Sequence, residues 1–193
     1  KQPNKTPSGA SKPTRKQGQQ GRPQTMKVGR STRLQHTELI GTLDGTGIGV
    51  AFDVSLHRYL INPSENETFP WLAAMANSWE QYKFHSLRFR YVTSTPTTVA
   101  GTVYMAFDYD VRDSTPSDAG EMMANYTHAT GPAYRGVTMS VDVQHSPYKT
   151  YFVRSTNSTD LKTTVDAGVL YVGLFGTGAA GALYVDYDVE FIY

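Results

Sequence analysis

Apolar and polar side chains alternate along most of the chain beyond its first 35 residues, which is the pattern of half-buried β-strands. Leu87, Phe89 and Tyr91 fall on one face of such a segment, and Arg88 and Arg90 fall on the other. The same period of two places Val103, Met105 and Phe107 on one face of a later segment. The pattern therefore predicts a sequence dominated by strands.

Eight strands and two short helices account for this pattern. The predicted strands are 36–43, 47–56, 83–91, 99–107, 134–144, 149–154, 165–175 and 182–193. Asp44-Gly45 predicts a tight turn between the first two strands, and Phe84 is out of step with its neighbours in the third.

The first helix is predicted to start at Pro70, because Leu72, Met75 and Trp79 recur after it at helical spacing. The second is predicted after Ser117, a candidate cap, with Met122, Met123 and Tyr126 on its buried side. Since strands and helices do not alternate as βαβ units, the predicted fold is all-β. It is an eight-stranded antiparallel jelly-roll sandwich with two short helices.

Residues 1–35 lack this periodicity and are rich in Lys, Gln, Pro, Gly, Ser and Thr. Such a segment buries too little apolar surface to offset its ordering entropy, so we expect a disordered arm. The arm contains nine basic residues and no acid, which leaves the body, 36–193, with nine basic and 17 acidic residues, a balance of −8. The nine are Lys1, Lys5, Lys12, Arg15, Lys16, Arg22, Lys27, Arg30 and Arg33.

Several classes of protein are disfavoured by what the sequence lacks. It has no cysteine for disulfides, metal thiolates or thiol nucleophiles. It has no apolar run long enough to span a bilayer and no apolar signal segment at its start, so no membrane partner is expected. The five histidines fit no HExxH spacing, and GxSxG is absent. The sequence therefore predicts a non-enzymatic protein.

Three aspartates follow the strand 99–107 within six residues: Asp108, Asp110 and Asp113. Clustered carboxylates repel one another unless a cation lies among them, and hard oxygen ligands suit calcium better than zinc or copper. The spacing is not that of an EF-hand, since the sixth and twelfth positions are Asp113 and Ala119 rather than Gly and Glu. A calcium site and a solvated acidic turn both fit this pattern.

The stretch 91–116 also resembles a known family. Eight of its positions match the signature of the shell-domain coat proteins of small icosahedral plant RNA viruses, of the tombusvirus, necrovirus and sobemovirus kind. They are Tyr91, Thr93, Gly101, Val103, Met105, Phe107, Asp110 and Pro116.

The resemblance implies a capsid protein found in the virion, and in the host cytoplasm during assembly. Its partners would be copies of itself and single-stranded RNA bound by the basic arm. It also implies calcium held by the aspartates and shared with a neighbouring subunit. The sequence does not identify the neighbour's ligands, for which Asp160, Asp166 and the acids near the C-terminus are candidates. Loss of calcium at raised pH would then let like charges push the subunits apart and swell the shell.

Two further expectations concern the surface and the closest relatives. Arg88, Arg90 and Lys83 could add positive charge to the inner surface of a shell or could simply be solvated. The chain ends directly after its last predicted strand, so the resemblance is closer to shells without a protruding domain. The alternative function is a calcium-dependent carbohydrate-binding jelly roll, which the aromatic content and the aspartates would suit.

Overall fold

Two antiparallel sheets pack face to face in the computed structural model, which describes residues 23–28, 31–47, 50–154 and 163–193. Ten strands lie within these residues, and the apolar faces of both sheets meet in one large core. The all-β sandwich with two short helices is therefore confirmed. None of the helices in the described part of the chain combines the length and hydropathy needed to span a bilayer.

The larger sheet has six strands in the order β1-β2-β10-β4-β7, and β8 pairs with β4 beyond the end of β7. Their bounds are β1 Gln24–Val28, β2 Ser31–Asp44, β4 Gln81–Thr93, β7 Val137–Val141, β8 Tyr151–Phe152 and β10 Ala180–Ile192. The smaller sheet has the order β3-β9-β5-β6. Its bounds are β3 Leu56–Leu60, β5 Thr102–Asp108, β6 Thr127–Pro132 and β9 Val169–Phe175.

Strand β4 shows how the alternation is converted into a core. Leu87, Phe89 and Tyr91 are buried as predicted, and Phe84 is buried as well. The register against β10 shifts between Asp188 and Val189, which makes His85 an extra residue in β4. A bulge of one residue reverses the side on which side chains fall, so it returns Phe84 to the core face. This bulge is why Phe84 is out of step in the sequence.

The predicted hairpin at Asp44-Gly45 is wrong. The Gly45 N–H donates to the carbonyl of Ala179 at 2.7 Å, and Thr46 bridges to Phe175, so the chain crosses from the larger sheet to the smaller one. A Cβ at position 45 would lie 2.1 Å from the Gly176 carbonyl oxygen, so this close crossing requires glycine. Of the described residues in the predicted strand 47–56, only Leu56 lies in a strand, as the first residue of β3. A 3₁₀ turn, Asp53–Ser55, precedes it.

The boundary predicted at residue 35 is too late, because β1 and the first residues of β2 lie before it. Thr32 and Leu34 are buried in β2 and pair with Phe191 and Val189 of β10. Arg33, which alternates with them, forms an ion pair with Asp188. Burial and charge pairing with a strand more than 150 residues away thus extend the sheet into the basic segment.

The first helix is much shorter than its pattern predicts. Helix α1 covers only Ala73–Ala76, and Trp71 lies before it, partly exposed. The buried carboxylate of Glu38 accepts hydrogen bonds from the Trp71 and Leu72 backbone N–H groups at 2.6 and 3.2 Å and from the Tyr187 hydroxyl at 2.5 Å. Glu38 therefore satisfies the start of the helix and ties it to β2 and β10.

The second helix, α2, covers Ala119–Met123 and is capped by Asp118 rather than by Ser117. Asp118 accepts from the Glu121 N–H, and Glu121 in turn accepts from the Ser117 N–H and hydroxyl. Met122 is buried as predicted, but Tyr126 is exposed because it lies beyond the helix, directly before β6.

Candidate functional site

The three aspartates of the predicted metal site lie where β5 leaves the smaller sheet. Asp108 is the last residue of β5 and pairs with Val169 of β9. The close approach of β5 to the start of β9 depends on Gly168, whose φ is +155°. A Cβ there would lie 2.5 Å from the Asp108 carbonyl oxygen and 2.6 Å from the Phe107 ring. The aspartate turn, residues 108–113, is therefore held by tight packing between β5 and β9.

Local hydrogen bonds fix the turn itself. The Asp108 carboxylate accepts from the Asp110 N–H at 2.9 Å, and the Asp110 carboxylate accepts from the Arg112 N–H at 3.0 Å. The Arg112 guanidinium reaches the same Asp110 oxygen at 3.5 Å. Asp113 is exposed and donates its N–H to the Asp110 carbonyl.

The pKa values of these acids move in opposite directions. Burial raises the pKa of Asp108, and the negative charges of Asp113 and Asp110 raise it further, against the N–H bond from Asp110. The pKa of Asp110 is lowered, chiefly by the Arg112 N–H and then by its guanidinium. The turn therefore contains one carboxyl that a nearby cation or a proton would relieve and one that is already partly neutralised.

The oxygen atoms of the turn are of the type that a hard cation prefers, but they are too few to enclose one. Within the ranges that the structure describes, no three His, Asp or Glu side chains converge closely enough to enclose a metal ion. Calcium takes six to eight oxygen ligands, so a metal bound here would need carbonyls, water or a second copy of the chain to complete its coordination.

The acids that the sequence suggests as ligands from a neighbour are already engaged within the chain, except Asp160, which lies outside the described residues. Asp166 is buried and ion-paired with Arg154, which also binds Glu65 at 2.9 Å. Near the C-terminus, Asp188 accepts from Arg33 and from Gln35, both at 2.6 Å. These acids are therefore not free to complete a metal site in a neighbour.

Of the nine basic residues assigned to the arm, only Arg33 has a described side chain. It binds Asp188 through two parallel hydrogen bonds of 2.6 and 2.7 Å. Lys27 lies in β1. The remaining seven lie outside the described residues: Lys1, Lys5, Lys12, Arg15, Lys16, Arg22 and Arg30. Arg33 is thus part of the sandwich rather than of a free basic arm.

Arg88 and Arg90 lie on the outer face of the larger sheet, where both bind Asp186, at 2.9 and 2.7 Å. Burial alone would raise the pKa of Asp186, but hydrogen bonds from Arg90, Thr37 and Arg88 outweigh it and lower that pKa to about 2. On the same face Glu190 binds His85 at 2.7 Å. We call this the paired face and define it by Asp186, Asp188 and Glu190 of β10 with the basic side chains that bind them; its arginines neutralise Asp186 and Asp188.

Sequence reasoning missed this paired face, although a signal for it exists. The β10 acids alternate with Val185, Tyr187 and Val189, as the outward residues of a half-buried strand should. Their partners on β4 alternate in the same way. What the sequence does not contain is the register that sets Asp186 opposite Arg88, 98 residues earlier in the chain.

Seven of the eight signature positions have structural roles. The buried Tyr91 hydroxyl donates to the carbonyls of Ala133 and Ala180 at 2.9 and 3.0 Å, and the Thr93 hydroxyl donates to that of Ala133 at 2.6 Å. A Cβ at Gly101 would lie 2.6 Å from the Phe175 carbonyl oxygen. Val103, Met105, Phe107 and Pro116 are buried. Only Asp110 offers an exposed functional group.

Comparison with known proteins agrees with this sandwich and its signature. The family described as viral coat protein (S domain) matches residues 10–193. The capsid protein of Pothos latent virus is 35% identical over 164 residues, which cover 82% of this chain and 43% of the relative. That of Cucumber necrosis virus is 34% identical over 188 residues, covering 90% of this chain and 45% of the relative.

Solved virus structures share the fold as well. The Cucumber leaf spot virus structure superposes with a TM-score of 0.80 at 28% identity, over 92% of this chain and 56% of that one. The fold and the matched family define a capsid shell domain. The chain belongs to the viral coat protein S-domain family.

This membership settles two of the predictions. The matched relatives are capsid proteins rather than enzymes, as the sequence predicts. Membership also favours the capsid prediction over the carbohydrate-binding alternative. The chain spans less than half the length of the curated relatives it matches.

Proposed function

We propose that copies of this chain associate into a closed icosahedral shell and that its basic N-terminal segment binds the single-stranded RNA packaged inside. The observation that carries the proposal is the match of the coat-protein family to residues 10–193, which form a jelly-roll sandwich in their described part. The distribution of charge supports the RNA-binding part. On the paired face arginines are neutralised by β10, whereas the first 30 residues contain eight basic residues and no acid.

RNA binding of this kind should depend strongly on salt and little on sequence. Eight charges engaging single-stranded phosphates would give a slope of log K against log salt of up to roughly −5 to −6. Replacing Lys5, Lys12, Arg15 and Lys16 by Gln should make that slope shallower by roughly 3. The control is Arg112→Gln, which removes an exposed cation from the body and should leave the slope unchanged. An unchanged slope in the fourfold variant would contradict the proposal.

We also propose that the aspartate turn contributes ligands to a calcium ion shared between adjacent copies. Asp110 and Asp113 are accessible and Asp108 is half-buried, and all three supply the hard oxygens that calcium prefers. The raised pKa of Asp108 supports the idea that this end of β5 is more stable with a cation or a proton nearby. Calcium would supply charge neutralisation, and the partner copy would supply the ligands that one chain lacks.

Electron microscopy and light scattering of the assembled protein test the closed shell and the calcium site separately. We expect closed isometric particles in the presence of RNA and calcium, and an increased radius after chelation at mildly alkaline pH. The double variant Asp110→Asn, Asp113→Asn should lose the response to calcium, whereas Asp44→Asn, an exposed acid at the end of β2, should retain it.

The outcomes distinguish the two proposals. Particles whose radius is indifferent to calcium would overturn the calcium site and leave the shell intact. Monomers or small oligomers under every condition would overturn the shell itself.

A further inference from the structure

A gap interrupts the outer edge of the larger sheet. Strand β7 pairs with β4 from Leu87 to Tyr91, and β8 pairs with it only at Gln81 and Tyr82. Between these, Lys83, Phe84 and Ser86 of β4 pair with β10 on one side, and His85 is the bulged residue. On the other side no strand of the described chain pairs with them, because residues 142–150 leave the sheet to connect β7 with β8. The gap opens toward the space between the two sheets.

A cavity of about 400 Å³ occupies this opening. Small-molecule sites in proteins span roughly 300–1,000 Å³ and combine an apolar lining with a few polar groups. The apolar lining here comes from both sheets and includes Phe84, Leu87, Phe107, Val141, Tyr151 and Ala167. Its polar lining residues are Lys83, Gln144, Ser146, Tyr148 and Lys149. The cavity therefore has the composition of an amphiphile site.

The hydroxyl of Tyr151 lacks a normal partner in this cavity. Tyr151 is buried, with its ring near those of Tyr82 and Tyr148. Within the described residues its hydroxyl makes no hydrogen bond of normal geometry. Burial raises the pKa of this hydroxyl, and the nearby Ser146 side chain and Tyr148 backbone offset that rise only in part. A buried hydroxyl without a partner costs about 1–3 kcal/mol, so an acceptor placed beside it would be stabilising.

The charged side chains around the cavity favour a negatively charged acceptor. Among the described residues, Lys83 and Lys149 are the charged side chains that line the cavity, and no described Asp or Glu lines it. Lys83 lies opposite Glu190 in the sheet, and its charge is partly offset because it interacts with that carboxylate. Lys149 is exposed and lies two residues before Tyr151. An anionic group in the cavity would thus be attracted by Lys149 and could accept a hydrogen bond from the Tyr151 hydroxyl, two residues further along the chain.

We propose that this cavity binds a free alkyl carboxylate, with its hydrocarbon chain between the sheets and its carboxylate between Lys149 and the Tyr151 hydroxyl. The apolar lining accounts for the chain, and the two donors account for the head group. The site is contained within one copy of the chain, so it does not depend on shell assembly or on calcium. A bound chain would also fill space in the sandwich and raise its thermal stability.

Calorimetric titration of the full chain with octanoate, decanoate and dodecanoate tests the proposal. Each added methylene should lower Kd roughly threefold to fourfold until the cavity is filled. Decanol should bind at least about tenfold more weakly than decanoate, because a neutral hydroxyl forms no ion pair with a lysine and is a weaker acceptor for the Tyr151 hydroxyl than a carboxylate is. A Kd independent of chain length would indicate carboxylate binding to the basic N-terminal segment and would overturn the proposal.

Two variants locate the head group. Lys149→Gln should weaken decanoate binding up to about fivefold, whereas the matched control Arg135→Gln, an exposed cation in the turn before β7, should not change it. Tyr151→Phe should weaken binding about tenfold without lowering the melting temperature of the ligand-free chain, because within the described residues the hydroxyl it removes makes no hydrogen bond of normal geometry. The proposal would be overturned if Tyr151→Phe bound decanoate as tightly as the natural chain does. It would also be overturned if Lys149→Gln and Arg135→Gln weakened binding equally.

Discussion

Two groups of three acids have nearly the same spacing along the chain and very different surroundings in the fold. One group ends the strand β5 and forms the aspartate turn, and the other lies on the outer face of β10. They are Asp108, Asp110 and Asp113, and Asp186, Asp188 and Glu190. Each acid of the second group is bound by a basic side chain from β2 or β4, at 2.6 to 2.9 Å. In the first group a single arginine, Arg112, lies 3.5 Å from one carboxylate.

The difference shows that the role of an acidic cluster is set by its long-range partners rather than by its local spacing. The central strand β10 has a neighbouring strand on each side, so cations from two strands reach its outward-facing residues. A turn at the end of a strand has no such neighbours, and its carboxylates remain available to a cation from outside the chain. The β10 acids therefore stabilise the sandwich, whereas the turn acids are the candidates for a shared metal.

The largest expected effect comes from breaking the packing that holds the aspartate turn. Gly168→Ala would push a methyl group into the Asp108 carbonyl and the Phe107 ring, so we expect it to cost about 3 kcal/mol of unfolding free energy. The control is Gly178→Ala, where φ is +81° but open space surrounds the new methyl. It should cost about 1 kcal/mol, from backbone strain alone. Urea unfolding measures both, and equal costs would contradict the packing argument.

Removing the central acid of the paired face should have the next largest effect. Asp186→Asn leaves Arg88 and Arg90 side by side without a carboxylate, and we expect a loss of about 2 kcal/mol because these are charge-assisted hydrogen bonds. Asp110→Asn in the aspartate turn should change stability by less than about 0.5 kcal/mol, since Asp110 and Arg112 are both well exposed. The comparison fails if the two substitutions cost the same in calcium-free urea unfolding.

The strands of the centre of the sandwich were predictable from the sequence, and its connections were not. Alternation located β4, β5 and β10 because each has one face in a common core, whereas the predicted strand 165–175 contains β9, which is buried on both faces. The crossover at Gly45 depends on a contact with Ala179, 134 positions later in the chain, and the bulge at His85 lies opposite Asp188, 103 positions later. Strand β6 was missed, and its burial alternates only weakly.

The candidate site was predictable to the same extent. The turn at the end of β5 follows from its own sequence, and Asp108, Asp110 and Asp113 lie there as expected. The sequence does not predict that Arg33 belongs to the body, because Arg33 is assigned to the arm from composition alone. Its partner Asp188 is 155 residues away and becomes adjacent only through the pairing of β2 with β10. Local composition therefore identifies charged segments but not which of their charges remain free.

Acid titration sharpens the comparison, because the pKa of Asp186 is lowered in the fold and that of Asp108 is raised. A folded-state pKa of about 2 for Asp186, below its ordinary value of 3.8, gives stability that is present above pH 3.8 and lost as the pH falls toward 2. We expect the natural chain to lose more unfolding free energy between pH 4 and pH 2 than Asp186→Asn does, by about 1–2 kcal/mol. Parallel losses in the two chains would show that the paired face does not lower this pKa.

The smallest effect is expected at Asp108, and its sign is the informative part. Because the pKa of Asp108 is raised in the fold, its ionised form costs stability as the pH rises through that pKa. Asp108→Asn keeps an oxygen to accept from the Asp110 N–H and removes the charge. Without calcium at pH 7 it should therefore raise the unfolding free energy by about 0.5 kcal/mol, and this gain should vanish below pH 3.8. The β10 counterpart, Asp188→Asn, should lower stability at pH 7, because it removes the partner of Arg33. Stabilisation by both substitutions, or by neither, would mean that the two acid clusters do not differ in the way their surroundings indicate.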